Sequence, residues 1–184
     1  MKVNWSQKVV DLGKLQTGLG VAWVDSGVLL GVSLNPDRNA AKRSLQQTSS
    51  TKQLIDSPLP EDLNDQLEGA LWGREIEWTW PPMLEIGTSF QRTVWVELLK
   101  CPHGQCWSYS ELARRLGNPG AARAVGSACG KNPFPLRIPC HRIVSANGSL
   151  GGFTGDLELK RWLLQKEALQ AQVLGSSLSD NALL

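Results

Sequence analysis

Residues 108 to 128 read SYSELARRLGNPGAARAVGSA, and their pattern predicts the architecture of the second half of the chain. Ser108-Tyr109-Ser110-Glu111 matches a capping box that opens a helix, and Gly117 suits the helix end because glycine adopts a left-handed backbone at little cost. Asn118-Pro119-Gly120 predicts a turn, and residues 121 to 128 predict a second helix. Two short helices joined by such a turn resemble a helix-turn-helix.

The second of these helices carries one long polar side chain, Arg123, among small residues. Base edges in DNA are read mostly by Arg, Lys, Asn and Gln, so this helix is poorly equipped for sequence readout. Small residues would let its backbone approach a nucleic acid closely and leave one cation projecting. Tight packing against a neighbouring helix explains the small residues equally well.

The segment Pro139-Cys140-His141-Arg142 places a thiol next to an imidazole and a guanidinium. Cysteine attacks as the thiolate, and neighbouring positive charge lowers the thiol pKa from about 8.5, so the segment predicts a reactive sulfur. Adjacent side chains of an extended segment point to opposite faces, so a Cys-His pair alone is a weak indicator.

The last predicted helix adds a carboxylate to this group. Leu159, Leu163 and Glu167 are spaced four apart, which puts Glu167 on the apolar face of the helix. A buried carboxylate needs hydrogen-bonding or positively charged partners, and His141 is the natural candidate. The pattern predicts a chain from Glu167 to His141 to Cys140, direct or through water; fraying of the helix end is the alternative.

A small α/β domain is predicted over residues 1 to 86. Thr17 to Val24 and Gly27 to Ser33 read as a β-hairpin, and helices are predicted over Pro36 to Gln47 and around Leu63 to Leu71. The polar segment from Ser49 to Pro60 is typical of a linker.

We place the domain boundary at Gly87, where Thr88-Ser89-Phe90-Gln91 matches a second capping box. The apolar stripe of the helix that follows comprises Phe90, Val94, Trp95, Leu98 and Leu99. Residues 87 to 169 predict a mostly helical, winged-helix-like domain, and residues 170 to 184 a flexible tail. The predicted fold class is α/β, of the α+β kind.

Net charge divides at the same boundary. Residues 1 to 86 carry 8 Lys and Arg against 11 Asp and Glu, whereas residues 87 to 184 carry 11 against 6. The second half therefore has a net charge of +5, which indicates either a polyanionic partner or a solvated basic face.

The composition excludes several classes of protein. With 184 residues, 41% hydrophobic and 20% charged, the chain is expected to bury a core rather than to be disordered or fibrous. It shows no apolar run typical of a membrane helix or signal peptide, so we expect an intracellular, cytoplasmic protein with reduced cysteines. Cys101, His103 and Cys106 lie within six residues, so a structural zinc site is one interpretation of this segment, and buried thiols in a turn are the other. No Gly-x-Gly-x-x-Gly or Walker pattern supports a nucleotide cofactor.

Taken together, residues 87 to 167 resemble the active-site domain of the O6-alkylguanine-DNA alkyltransferases, the methylated-DNA–protein-cysteine methyltransferases. The motifs occur in the family's order: Gly87-Thr88-x-Phe90-Gln91-x-x-Val94-Trp95, Ser108-Tyr109, Gly117-Asn118-Pro119, Ala122-Arg123-Ala124-Val125-Gly126, Asn132-Pro133, Pro139-Cys140-His141-Arg142 and Leu163-Leu164-x-x-Glu167. Residues 1 to 86 resemble the family's N-terminal domain only in size and in their hairpin-first layout.

The resemblance implies an irreversible, single transfer of the alkyl group from O6-alkylguanine, flipped out of duplex DNA, to Cys140. It implies that His141 deprotonates Cys140 through water and that Glu167 orients His141. Tyr109 would donate a proton or hydrogen bond to the departing guanine, and Asn132 would brace the site.

The same resemblance implies a DNA-binding surface and a substrate pocket. Arg123 would fill the gap left by the flipped nucleotide. The other implied DNA contacts are Tyr109, Ser110, Ala122, Ala124 and Gly126, and the implied pocket wall is Gly151, Gly152, Phe153 and Thr154. O4-alkylthymine is a second candidate substrate. We expect a monomer, since a protein that scans DNA and acts once needs no symmetry, and we expect no cofactor. Some family members bind zinc in the N-terminal domain, but residues 1 to 86 contain no Cys or His, so we expect no metal.

Several positions depart from the family's usual pattern. Phe153 and Thr154 stand where Tyr and Ser are common, and Asp156 and Ala168 where glycine is frequent. The accepted size of alkyl group is therefore left open. Two alternative functions remain: a non-enzymatic alkyltransferase-like lesion binder, and a cysteine hydrolase that uses Cys140, His141 and Glu167.

Overall fold

A computed structural model describes residues 2–51 and 53–173 of the chain. The strands are β1 Asn4–Asp11, β2 Gln16–Val24, β3 Val28–Ser33, β4 Ile55–Asp56, β5 Trp107–Ser108 and β6 Ile143–Val144. The α-helices are α1 Arg38–Thr48, α2 Glu61–Leu71, α3 Ser89–Leu98, α4 Tyr109–Arg115, α5 Ala122–Gly130 and α6 Leu157–Val173, with 3-10 turns at Pro119–Ala121 and Cys140–Arg142. This mixture of helices and sheets confirms the α/β class.

The first sheet has the strand order β3-β2-β1-β4. β1, β2 and β3 are antiparallel neighbours, which confirms the predicted hairpin, and β4 adds to β1 in parallel. Strand β1 was not predicted from the sequence, and the linker predicted over Ser49 to Pro60 was wrong. Leu54 is buried there, and Ile55 pairs with Asn4, because a strand of two residues draws its stability from the sheet it joins.

One cluster of buried side chains extends through both halves of the chain. It contains Leu19 and Leu67 from the first half together with Val94, Leu112 and Leu163 from the second. Burial of apolar area therefore couples the four-stranded sheet to the helices that carry the site. The division of the chain at Gly87 stays a prediction.

Helix α3 begins as predicted, with both hydrogen bonds of the capping box between Thr88 and Gln91. Its predicted stripe is only partly correct. Val94, Trp95 and Leu98 are buried, but Phe90 and Leu99 are exposed at 37% and 36%, because the neighbours of α3 cover a narrower stripe than the sequence offers.

Helix α4 begins with half of its predicted capping box. The Ser108 hydroxyl accepts a hydrogen bond from the backbone N–H of Glu111 at 3.0 Å. The Glu111 carboxylate instead pairs with Arg114 and Arg115 one turn further on. Gly117 ends the helix with a φ of 71°, and the 3-10 turn leads into α5, as the helix-turn-helix pattern predicted.

A short parallel sheet joins this helix pair to the turn that contains Cys140. Trp107 of β5 pairs with Ile143 of β6, and Ser108 pairs with Val144. β5 immediately precedes α4, and β6 immediately follows the Cys140–Arg142 turn. The start of the helix-turn-helix is thereby held beside the predicted nucleophile.

Helix α6 packs its apolar face inward. Leu159, Leu163, Leu164 and Ala168 are buried. Residues 170 to 173, the first part of the predicted flexible tail, continue the helix, and the flexibility of the tail stays a prediction. The rest of that predicted tail lies outside the described residues. Within residues 2–51 and 53–173, no helix is both long and apolar enough to cross a membrane.

Candidate active site

Cys140 lies at the start of the 3-10 turn and is 3% exposed. Pro139 has φ −81° and ψ 61°, the geometry of an inverse γ-turn, and the backbone N–H of Cys140 donates to the Ile138 carbonyl at 2.8 Å. Leu136, in the loop before it, is buried with a φ of 75°, which is rare outside glycine and must be held by its surroundings. The loop thus presents the sulfur in one orientation.

Asn132 holds the thiol and the loop together. Its Nδ2 donates to Cys140 Sγ at 3.1 Å and to the Ile138 carbonyl at 2.9 Å. Its Oδ1 accepts from the Phe134 backbone N–H at 3.0 Å. Because Asn132 follows closely after α5, these bonds also tie the thiol to the helix-turn-helix.

Burial raises the pKa of the Cys140 thiol. The hydrogen bond from Asn132, the positive charge of Lys160 and the nearby Thr154 side chain oppose this increase. The lowered thiol pKa expected from the sequence was therefore wrong, because burial outweighs the groups that favour the thiolate. A thiol of this kind needs a base before it can attack.

The predicted partnership of His141 and Glu167 is present. His141 Nε2 lies 2.7 Å from Glu167 Oε1, and both side chains are buried. The Gly104 backbone N–H donates to Glu167 Oε2 at 3.3 Å. Glu167 is 4% exposed, so the alternative in which the helix end frays is wrong.

Arg142 also binds Glu167, through Nε to Oε2 at 2.9 Å and Nη2 to Oε1 at 3.0 Å. Its Nη1 donates to the Cys101 carbonyl at 2.7 Å. The guanidinium therefore forms a forked pair with the carboxylate. Its charge was expected from the sequence to lie beside Cys140; that was wrong, because consecutive side chains diverge and the buried carboxylate attracts the charge.

The two buried partners have shifted pKa values. Burial lowers the pKa of His141, although Glu167 opposes the shift. Burial alone would raise the pKa of Glu167, but His141 and Arg142 hold it well below its usual range. Glu167 is thus ionised and His141 neutral at pH 7. His141 Nδ1 is buried and has no hydrogen-bond partner among the described residues, so it is free to accept a proton.

Tyr109 lies between the second helix of the pair and the predicted pocket wall. Its hydroxyl donates to the Gly152 carbonyl at 3.3 Å. A Cβ atom added at Gly126 would lie 3.5 Å from the ring, and one at Gly151 only 2.7 Å from it. Burial raises the pKa of Tyr109, so the hydroxyl keeps its proton at pH 7.

The remaining wall residues lie near the same position. Phe153 is half-buried against the main core cluster, and the Thr154 side chain lies near enough to Cys140 to favour its thiolate. The structure thus brings together Cys140, His141, Glu167, Asn132, Tyr109 and the wall residues 151 to 154.

The predicted DNA-contact residues lie on α4 and α5. Arg123, Ser110 and Ala124 are exposed, whereas Ala122 and Gly126 are half-buried. Val125, Ala128 and Cys129 form the buried face of α5, so packing explains that face and leaves Arg123 outside it. In the described part of the chain, Arg123 makes no hydrogen bond or ion pair.

Lys160 is a residue of the site that sequence reasoning missed. It is fully buried on α6, and Nζ donates to the Ile143, Leu150 and Gly152 carbonyls. Position 160 precedes Leu163 by three residues and Glu167 by seven, which places it on the face already predicted to be buried. That spacing was the available signal.

Metal binding was an open alternative at Cys101 to Cys106. Cys101 is buried, Cys106 is half-buried, and His103 Nε2 lies 2.8 Å from the Gly73 carbonyl. Across residues 2–51 and 53–173, no group of three or more His, Cys, Asp and Glu side chains is arranged to hold a metal ion.

Comparison with known proteins connects this geometry to a family. Residues 89–169 match the family model described as 6-O-methylguanine DNA methyltransferase, DNA binding domain. A methylated-DNA–protein-cysteine methyltransferase of Shigella flexneri is 42% identical over 113 residues, 61% of this chain and 66% of its own length. A protein of the same name from Mycobacterium bovis is 41% identical over 137 residues, 70% of this chain and 79% of its own length.

Among solved structures, the chain is similar to Mycobacterium tuberculosis OGT, crystallised in complex with DNA. The TM-score is 0.71 at 30% identity, and the match covers 92% of this chain and 94% of that one. The likeness therefore includes the four-stranded sheet as well as the helical part that carries Cys140. Given the Mycobacterium bovis relative, aligned over most of its own length, the chain belongs to the methylated-DNA–protein-cysteine methyltransferase family.

Proposed function

We propose that the protein repairs DNA by transferring the alkyl group of O6-alkylguanine to its own Cys140, once per molecule. The observation that carries this proposal is the buried Cys140 thiol, held by Asn132 and followed directly by the His141–Glu167 pair. Family membership and the name shared by the relatives support the same reaction.

The first step is removal of the thiol proton. His141 is neutral, and its Nε2 is engaged with ionised Glu167, which leaves Nδ1 as the basic nitrogen. Nδ1 takes the proton of Cys140, directly or through a water molecule, and Glu167 stabilises the imidazolium that forms. Arg142 keeps Glu167 ionised throughout.

The second step is an in-line displacement at carbon. The sulfur–carbon bond forms as the bond between that carbon and guanine O6 breaks, and guanine leaves with the electron pair of the broken bond. A hydrogen bond from the Tyr109 hydroxyl stabilises the charge on the departing base. The proton that Cys140 lost restores neutral guanine, so the balanced products are guanine and S-alkylcysteine. Because no step breaks the new thioether, the protein acts once.

DNA binding follows from the exposed surface of α4 and α5. A stacked base cannot place its O6 substituent opposite a buried sulfur, so the base must be flipped out of the duplex. Arg123, exposed and without an internal partner among the described residues, is suited to fill the gap left behind. Small residues beside it allow close approach to the DNA backbone with little sequence readout. The similar Mycobacterium tuberculosis OGT was crystallised in complex with DNA, which supports a DNA partner for this surface.

The proposal assigns DNA binding and alkyl transfer to residues 87 to 169. It also implies a cytoplasmic protein with access to DNA, acting as a monomer. The wall formed by Gly151, Gly152, Phe153 and Thr154 would contact the flipped base, and O4-alkylthymine is the second substrate to test.

The test is the intact mass of the protein after incubation with a duplex that contains one O6-methylguanine. We expect a gain of one methylene group, located on the Cys140 peptide and absent from Cys140→Ala. Cys129→Ala is the matched control because Cys129 is also a buried thiol, with a pKa raised by burial to about 12, and should retain the transfer.

Other outcomes separate the alternatives. An unchanged mass with tight binding to the modified duplex would favour a non-enzymatic lesion binder. An unchanged mass without binding, accompanied by turnover of a thioester, would favour a cysteine hydrolase.

A further inference from the structure

Lys160 is a buried lysine whose ammonium group is held by carbonyl oxygens. Its side chain is fully buried, and Nζ lies 2.6 Å from the Ile143 carbonyl and 3.1 Å from the Gly152 carbonyl, with the Leu150 carbonyl as a third acceptor. These acceptors match the three donors of an ammonium group. None of the carboxylates in the described part of the chain forms an ion pair with it.

The three carbonyl acceptors of Lys160 belong to two different segments of the site. Ile143 directly follows the Cys140–Arg142 turn, whereas Leu150 and Gly152 belong to the loop that forms the pocket wall. The Gly152 carbonyl also accepts the hydrogen bond of Tyr109. One ammonium group therefore connects the nucleophile's turn, the wall of the pocket and, through Gly152, the tyrosine.

Lys160 is also the cation whose charge lowers the pKa of the Cys140 thiol. The side chains that affect the thiol are Asn132, Thr154 and Lys160, and the thiol of Cys129 lies close enough to interact with Cys140 when ionised. Cys106 is the third thiol that interacts with Lys160. Arg142, two positions after Cys140 in the sequence, directs its charge to Glu167 instead.

Burying an ammonium group costs free energy because the group loses its hydration, and a nearby negative charge reduces that cost. Burial lowers the pKa of Lys160, while nearby Cys140, Cys129 and Cys106 act in the opposite direction. Formation of a thiolate at Cys140 would offset part of the cost of burying the ammonium. The Lys160 ammonium is therefore most stable when Cys140 is a thiolate, which is the form that reacts.

We propose that Lys160 is a positioning residue that stabilises the Cys140 thiolate with its charge and clamps the pocket wall to the nucleophile's turn. The clamp rests on the proposed function, since it concerns the pocket for the alkylated base. The effect of the charge on the thiol does not depend on that function.

The experiment compares Lys160→Met, Lys160→Arg and the unchanged protein by the rate of Cys140 alkylation with iodoacetamide across pH, followed on the Cys140 peptide by mass spectrometry. An opposite charge nearby lowers a pKa by about 1 unit or more, so the Met variant should react about tenfold more slowly near pH 7. Its rate should recover at higher pH. Lys160→Arg retains the charge, so the midpoint of its curve of alkylation rate against pH should equal that of the unchanged protein.

The matched control is Lys166→Met. Lys166 is a half-buried lysine of the same helix, but its ammonium lies over Trp162 and Trp72 rather than beside the thiol. Its removal should leave the pH midpoint of Cys140 unchanged. A role confined to structure would lower the rate of Lys160→Met equally at every pH, and that result would overturn the assignment of the charge.

Transfer from a duplex with O6-methylguanine is measured on the same variants. Lys160→Arg should slow this transfer several-fold, since its longer fork cannot reproduce the three carbonyl contacts; an unchanged rate would overturn the clamp. Circular dichroism shows whether Lys160→Met folds. If it does not fold, the charge effect is tested with Lys160→Arg alone: a pH midpoint of Cys140 alkylation higher than that of the unchanged protein would overturn the charge effect. A shifted midpoint in Lys160→Met, together with no transfer by the unchanged protein, would support the charge effect and refute the proposed function.

Discussion

His141 Nε2 and Glu167 Oε1 lie 2.7 Å apart although 26 residues separate them in the chain. The same carboxylate binds the guanidinium of Arg142 at 2.9 and 3.0 Å. One side chain of α6 therefore holds both residues that follow Cys140. The last helix thus fixes the orientation of the turn that presents the sulfur.

Replacing this carboxylate should weaken the fold. Glu167→Gln would leave the Arg142 guanidinium largely buried without its counter-charge, and we expect the free energy of unfolding to fall by about 3 kcal/mol. Urea unfolding of the two proteins measures the difference. Glu111→Gln removes a carboxylate that pairs with two arginines at the surface, and should cost less than about 1 kcal/mol. Equal losses in both variants would contradict the importance of the buried pair.

Acid should destabilise the protein in two stages. The pKa of His141 is lowered in the folded state, so below about pH 6.5 the unfolded chain binds the proton more readily and stability falls. The pKa of Glu167 is also lowered, so its contribution is complete above the ordinary glutamate pKa of about 4.3 and is lost as pH falls further. Urea unfolding from neutral pH down to acid pH tests both stages. A stability that increased as the pH fell from 7 through the ordinary histidine pKa would be inconsistent with a buried neutral imidazole.

The two glycines of the pocket wall should respond differently to alanine. Gly151 has a φ of 64°, and an added Cβ would meet the Tyr109 ring at 2.7 Å, so Gly151→Ala should displace the ring or the wall. Gly152 has no described atom within 4 Å of the corresponding Cβ position. We expect Gly151→Ala to slow alkyl transfer by about tenfold or more, since misplacement by about 1 Å costs up to 100-fold. Similar rates for the two variants would show that the Tyr109 contact does not matter.

Arg123 should matter for duplex DNA and not for the chemistry. Arg123→Gln should leave the free energy of unfolding within about 0.5 kcal/mol of the original value, because the side chain is exposed and has no internal partner among the described residues. Transfer from duplex DNA should slow by about tenfold or more, since flipping a base costs a few kcal/mol that the arginine helps to offset. Transfer from the free O6-alkylguanine base should be unchanged. Arg161→Gln, another exposed arginine, serves as the control, and an equal effect on free base and duplex would refute the role in flipping.

Local signals in the sequence were sufficient for much of the fold. The cap at Ser108, the left-handed Gly117 and the Asn-Pro-Gly turn predicted α4 and α5, because such features depend on residues within one or two turns. The four-residue spacing of Leu159, Leu163 and Glu167 likewise predicted an inward-facing carboxylate. β4 was missed, because its two residues are a strand only where β1 lies beside them.

The residues to which the proposed reaction is assigned could be picked out from the sequence itself: Cys140 and His141 are adjacent, and helical periodicity turns Glu167 inward. The tertiary structure alone decided where the charges go. It directs Arg142 to Glu167, brings the buried Lys160 to the pocket wall and packs the Tyr109 ring against Gly151. These contacts join residues far apart in the chain, and burial gives them their strength, so local pattern could not predict them.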